Sequence, residues 1–223
     1  HFPRTRLLCL ENTHNSAGGT VLPLSRQREI TEVAEEYGLR VHVDGARIFN
    51  AAVALGVPAS ALTEGVDSLT FCLSKGLSCP VGSVVVGSQA FIEEARRGRK
   101  LLGGGMRQAG IIAAAGLVAL DTMVDRLAED HETARLLAKA VDGLPGLGVD
   151  LDSVQSNIVL FDVGGLGTTA AEFAAELHER GLGVTTHGAD LVRCVTHRGI
   201  EVEHIEGAIE ILEAALASGT RSS

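Results

Sequence analysis

The sequence predicts an α/β protein: a mostly parallel, helix-covered sheet that gives way to a small α+β domain. Two observations carry this. Through the first half, short apolar runs rich in β-branched residues alternate with longer stretches of helical period, as in strands joined by crossover helices. After the stop LPGLG at 144–148 that alternation ends. The 223 residues suffice for one large domain or two small ones with a proper core, and 45% hydrophobic against 21% charged residues excludes a disordered chain.

The first-half strands are RLLCL (6–10), LRVHV (39–43), SLTFCL (68–73) and SVVVG (83–87). Between the first two, a helix is predicted over 25–37, introduced by Pro23, capped by Ser25 and closed by Gly38, with Ile30, Val33 and Ala34 on one face. Residues 106–141 keep helical character for longer than one globular helix, so a break is expected within 121–128. Beyond the stop come strands over 157–163 and 191–196, a third at 183–186, helices over 168–180 and 201–216, and a polar tail at 218–223. The expected organisation is a partial large domain over 1–124 and a small C-terminal domain over 125–223.

Composition narrows the partners. With 28 acidic against 19 basic side chains the formal charge is −9, which repels nucleic acid over most of the surface. The one dense basic run, Arg96, Arg97, Arg99 and Lys100, reads as a solvated helix end favoured by the helix dipole. Trp is absent and Tyr37 is the sole tyrosine, which argues against base stacking. Cys9, Cys72, Cys79 and Cys194 form no CxxC pair and show no regular spacing with histidine, so no metal site or disulfide framework is expected and the thiols are taken as reduced. No apolar run has bilayer length and no basic-then-apolar signal opens the chain; a soluble, cytoplasmic protein without membrane or nucleic-acid partners is expected. The first residue is His rather than Met, and the expectation is a fragment of a longer polypeptide.

Two constellations can carry chemistry. In HVDGAR, Asp44 stands at the carboxyl end of an apolar strand with Arg47 three residues on. Ligands bind at that edge of open α/β sheets, and a partly buried carboxylate there needs a cation. A protonated ring nitrogen would serve; the plainer alternative is that Asp44 caps a helix beginning at Ala46 or pairs with Arg47. In LSKGL, Lys75 follows the third strand and reaches the same edge if both strands run parallel. It is either a surface lysine or an amine half-desolvated enough to act as nucleophile and base. Together, a Schiff-base lysine and a pyridinium-holding aspartate are what pyridoxal phosphate requires of its protein, and Arg47 could bind the ring's phenolate oxygen.

The segments LENTHNSAGG (10–19), HVDGARIFNAA (42–52), FCLSKGLSCPVGS (71–83), KLLGGGMRQAG (100–110) and VRCVTH (192–197) resemble, in order and over nearly the whole chain, those of low-specificity L-threonine aldolases. The resemblance implies a fold-type I pyridoxal 5'-phosphate enzyme whose large domain is truncated at its N-terminus. It implies aldol cleavage of L-threonine, L-allo-threonine and related β-hydroxy amino acids to glycine and an aldehyde. Lys75 would carry the cofactor aldehyde, Asp44 its pyridine nitrogen, and Arg47 a cofactor oxygen or the substrate carboxylate. Arg193 would bind the α-carboxylate, a task suited to a guanidinium fork. His14 would approach the β-hydroxyl and help take its proton, and Arg107 would approach a cofactor phosphate, in the neighbouring subunit. The implied assembly is a homodimer or homotetramer with shared active sites. Against this, no Gly/Ser/Thr phosphate cup or ring-stacking histidine precedes LENTHN, and Cys194 stands where a larger apolar residue is expected. Alternatives are another pyridoxal β-eliminating lyase, or a non-catalytic fragment without the cup.

Other motifs read more plainly. GGLGTTA (164–170) imitates a dinucleotide fingerprint, but no acidic residue follows near Thr185, and a helix entry capped by Thr168 explains it. Gly103 to Gly105 form either an anion nest or a mobile turn. His42 is expected to pack beside the sheet, His187 and His197 to be either supporting or solvated, and His131, His178 and His204 to lie on the surface.

Overall fold

The computed structural model describes residues 1–219. They divide into two compact units, 1–13 with 21–127 and 14–20 with 128–219.

In the first unit the strands β1 (Leu7–Glu11), β2 (Arg40–Asp44), β3 (Ser68–Cys72) and β4 (Ser83–Gly87) form one sheet in sequence order. β1, β2 and β3 run parallel, with Glu11 opposite Asp44 and Asp44 opposite Thr70, while β4 returns antiparallel on β3. The parallel strands are those joined through helices, as their crossovers require, whereas β3 and β4 are joined by the turn 73–82. Helices α1 (Leu24–Glu36), α2 (Ile48–Leu55), α3 (Gln89–Leu101) and α4 (Gly110–Thr122) complete the unit. Its core joins Val43 and Leu69 of the sheet to Ile48, Ala51 and Ala52 of α2, and to Ala119, Met123 and Leu127. The run VVV in β4 would suit a strand covered on both faces, yet Val85 and Val86 are partly exposed at the sheet edge. The basic cluster lies in α3, with Arg99 and Lys100 in its last turn.

α1 departs from expectation in two details. Its N-cap is Pro23, and Ser25, already inside the first turn, caps nothing, because the Pro23 carbonyl accepts the Gln27 N–H and starts the helix one residue early. The buried face is Gln27, Thr31 and Ala34, while Val33 is exposed. The Gln27 side-chain amide donates to the Leu62 carbonyl at 2.8 Å, so a polar residue takes a place that hydropathy alone reserves for Val33.

In the second unit, α5 (Leu127–Asp142), β5 (Ile158–Asp162), α6 (Ala170–Glu179), β6 (Thr185–His187), β7 (Leu191–Val195) and α7 (Val202–Gly219) follow in order. The antiparallel sheet is ordered β5, β7, β6, and its core gathers Val159, Phe161 and Val192 with Leu137, Phe173, Leu177 and Leu212 from the helices. The expected break in the long helical stretch falls between Thr122 and Leu127. α6 is capped by Thr169 rather than Thr168: Thr169 Oγ1 accepts the Glu172 N–H while Glu172 returns to the Thr169 N–H, closing a capping box. Of the predicted tail, Ser218 and Gly219 end α7, and 220–223 lie outside the described residues.

His131 corrects a further expectation. It is 2% exposed, inside the second unit, and burial, with Arg135 nearby, lowers its pKa to about 4. Its neighbour Asp130 is equally buried, and the Asp130 carbonyl accepts hydrogen bonds from the Thr196 and Thr133 hydroxyls. Charged letters around His131 suggested a wet helix face, but the N-terminal turn of α5 is drawn into the polar core of its unit. His178 and His204 are exposed, as expected, and His42 shares a 2.8 Å hydrogen bond with Ser68 across β2 and β3.

Among the described residues no helix is long and apolar enough to cross a membrane, and all four cysteines are free.

Candidate active site

Asp44 and Lys75 come to the same edge of the first unit's sheet. β2 ends at Asp44, and the adjacent parallel strand β3 ends at Cys72, three residues before Lys75. The turn that carries Lys75 is held by its own backbone: Ser78 N–H donates to the Lys75 carbonyl at 2.9 Å, and Leu73 and Ser74 N–H groups donate to the Gly82 carbonyl. Both flanking glycines are closely packed, Gly45 against a backbone carbonyl and Gly76 against a side-chain end. A Cβ at Gly45 would sit 2.9 Å from the Thr70 carbonyl oxygen and from Ile48 Cβ, and one at Gly76 would sit 2.8 Å from a Leu127 methyl.

Burial differs from expectation at both residues. Asp44 and Lys75 are exposed, not half-desolvated: Asp44 stands in the last ladder pair of β2, at the open end of the sheet, and Lys75 lies in the turn beyond β3. Asp44 also makes the local bond weighed as the plainer alternative: Oδ1 accepts the Ala46 N–H at 3.0 Å. The helix that follows starts two residues later than expected, at Ile48, with Arg47 as its half-buried N-cap. Arg107 lies exposed between α3 and α4 in the same unit.

Asn12 is a supporting residue that sequence reasoning did not single out. It is fully buried, its N–H donates to the Asp44 carbonyl at 3.0 Å, and its side-chain amide bonds both the N–H and the carbonyl of Leu22. It therefore ties β1 and the entry to α1 to the strand end bearing Asp44.

The second unit holds the other two residues, His14 and Arg193. His14 Nδ1 accepts the Ala17 N–H at 3.0 Å, capping a single 3-10 turn, Asn15–Ala17. Arg193, half-buried in the middle of β7, donates from Nη2 to Asn15 Oδ1 at 3.0 Å, and its burial lowers the guanidinium pKa. Next to it, burial pushes the Cys194 thiol up to about 12.

Residues 1–163 match the family model described as Beta-eliminating lyase, and the chain belongs to that family. Its fold is that of the fold-type I pyridoxal phosphate-dependent enzymes. More particularly, it is 42% identical to low-specificity L-threonine aldolase 1 of Arabidopsis thaliana, over 96% of this chain and 60% of that protein. It is 45% identical to the low specificity L-threonine aldolase of Escherichia coli K12, over 92% of this chain and 59% of that one. The solved structure of Leishmania major threonine aldolase superposes with a TM-score of 0.75 at 18% identity, covering 95% of this chain and 61% of that one. The chain thus spans about 60% of the length of the curated relatives it matches.

Proposed function

We propose that this protein serves pyridoxal phosphate-dependent aldol cleavage of L-threonine, L-allo-threonine and related β-hydroxy amino acids, yielding glycine and an aldehyde. The observation that carries the reading is the convergence of Asp44 and Lys75 at the carboxyl edge of adjacent parallel strands.

The residues present fit the cofactor. An amine without an ion-pair or hydrogen-bond partner among the described residues stands in the turn after β3, the strand beside the one that ends at a carboxylate, and two close-packed glycines lie in the two turns. Lys75 would hold the aldehyde and Asp44 the pyridine nitrogen, with Arg47 and Arg107 answering the cofactor's phenolate and phosphate oxygens or the substrate carboxylate. When bound, pyridoxal phosphate supplies an electron sink for the pair left on Cα as the Cα–Cβ bond breaks.

The chain's own work is binding and proton transfer. Arg193 binds the α-carboxylate through its guanidinium fork, and its half-buried position strengthens that pairing by excluding water. His14 acts at the β-hydroxyl; since its Nδ1 accepts the Ala17 N–H, taking the proton whose loss drives bond cleavage requires that bond to be released first. We also assign the protein to a homodimer or homotetramer, a reading supported by the exposed apolar residues Ile111, Leu117 and Val118 on α4.

The test is to add pyridoxal phosphate, reduce with borohydride and map the modified peptide, while measuring acetaldehyde released from threonine. An adduct on Lys75 and aldehyde release lost in Lys75→Ala are expected. Modification elsewhere, or undiminished cleavage by Lys75→Ala, would refute the assignment.

A further inference from the structure

We infer that Asn15 is a positioning residue: its side-chain oxygen sets the plane of the Arg193 guanidinium so that the remaining N–H groups can receive a carboxylate. The inference rests on the proposed role of Arg193 and adds the residue that orients it.

Three observations support it. The Arg193 Nη2 to Asn15 Oδ1 bond is 3.0 Å long, partly buried, and joins groups far apart in sequence, so only the folded second unit creates it. Arg193 Nε is buried and has no hydrogen-bond partner among the described residues, and a buried N–H of a charged group is costly to leave unmade. Asn15 spends a neutral acceptor on one of five donors, which orders the fork without neutralising it, whereas a carboxylate at this position would compete with the ligand.

The segment bearing Asn15 is itself anchored to the same unit. The Ser156 hydroxyl donates to the Gly19 carbonyl at 2.7 Å in a buried contact, and the His14 N–H donates to the Thr20 carbonyl at 2.9 Å, closing the loop. A side chain at Gly19 would collide with Ser156 Oγ, and one at Gly18 would press on Leu160 of β5 at 3.2 Å. The loop is therefore seated against β5, which pairs with β7, the strand of Arg193. Its place is set by packing, and Asn15 Oδ1 inherits that place.

The experiment compares the wild-type protein with Asn15→Ala, Asn15→Asp and Arg193→Lys. With cofactor added, Asn15→Ala should raise KM for threonine about tenfold and leave kcat within about twofold, since the lost contact serves ground and transition state alike. Asn15→Asp should also raise KM, by opposing the substrate's charge. Without cofactor, nitrogen-detected NMR of the Arg193 guanidinium should show hindered rotation in the wild type and in Asn15→Asp, and free rotation in Asn15→Ala; Arg193→Lys identifies the signal. Unchanged guanidinium rotation in Asn15→Ala overturns the inference, as does an unchanged KM in a protein that cleaves threonine. A wild type that cleaves no β-hydroxy amino acid refutes the lyase reading instead, and the NMR comparison then decides the role of Asn15 alone.

Discussion

Acidification should destabilise the second unit through one side chain, His131. Burial, with Arg135 nearby, holds its pKa at about 4 in the fold against 6.5 for an exposed histidine. The folded state therefore binds fewer protons than the unfolded chain, and stability present above pH 6.5 is lost as pH falls toward 4. The loss works out at about 2 kcal/mol at pH 5 and about 3 kcal/mol at pH 4. Native-state hydrogen exchange at the core amides of Val159 and Phe161, corrected for intrinsic rates, reads this directly. Carboxylates such as Asp67, whose pKa is lowered chiefly by the Val41 N–H bond and also by Arg40, lose stability over the acid range in any variant, so the comparison needs a non-titrating control. Between pH 7 and pH 5 the wild type should lose about 2 kcal/mol more than His131→Gln. Equal slopes for the two proteins would show that His131 does not titrate as its burial demands.

Two other expectations concern the thiols and the turn at Asp44. At pH 8, iodoacetamide followed by peptide mapping should label exposed Cys9 and spare Cys194, whose thiol stays protonated with a pKa pushed up to about 12; rapid labelling of Cys194 would contradict its burial. Gly45→Ala places a methyl group 2.9 Å from the Thr70 carbonyl oxygen and should cost about 1–3 kcal/mol by thermal melting. It should also weaken borohydride trapping of pyridoxal phosphate on Lys75, and a variant as stable as wild type would mean that the turn can yield.

The strands were legible because each is a short β-branched run bounded by turn residues, and β4 begins and ends where SVVVG does. The helix break at 123–126 was legible from length alone. Asp44 and Lys75 could be proposed because each follows an apolar strand, and parallel pairing brings such ends to one edge. Local details were less legible. Ser25 and Thr168 are good capping residues, yet Pro23 and Thr169 hold the caps, since the cap is chosen by where the chain enters the helix.

What the amino-acid order determined by itself was periodicity, punctuation and the expectation that Asp44 and Lys75 share one sheet edge, all read from neighbouring residues. Tertiary structure decided the exposure of Asp44 and Lys75, the burial of His131 and the bond from Arg193 to Asn15. Each of these depends on which distant segments exclude water from a side chain or supply its partner, and that is settled only when the chain has packed.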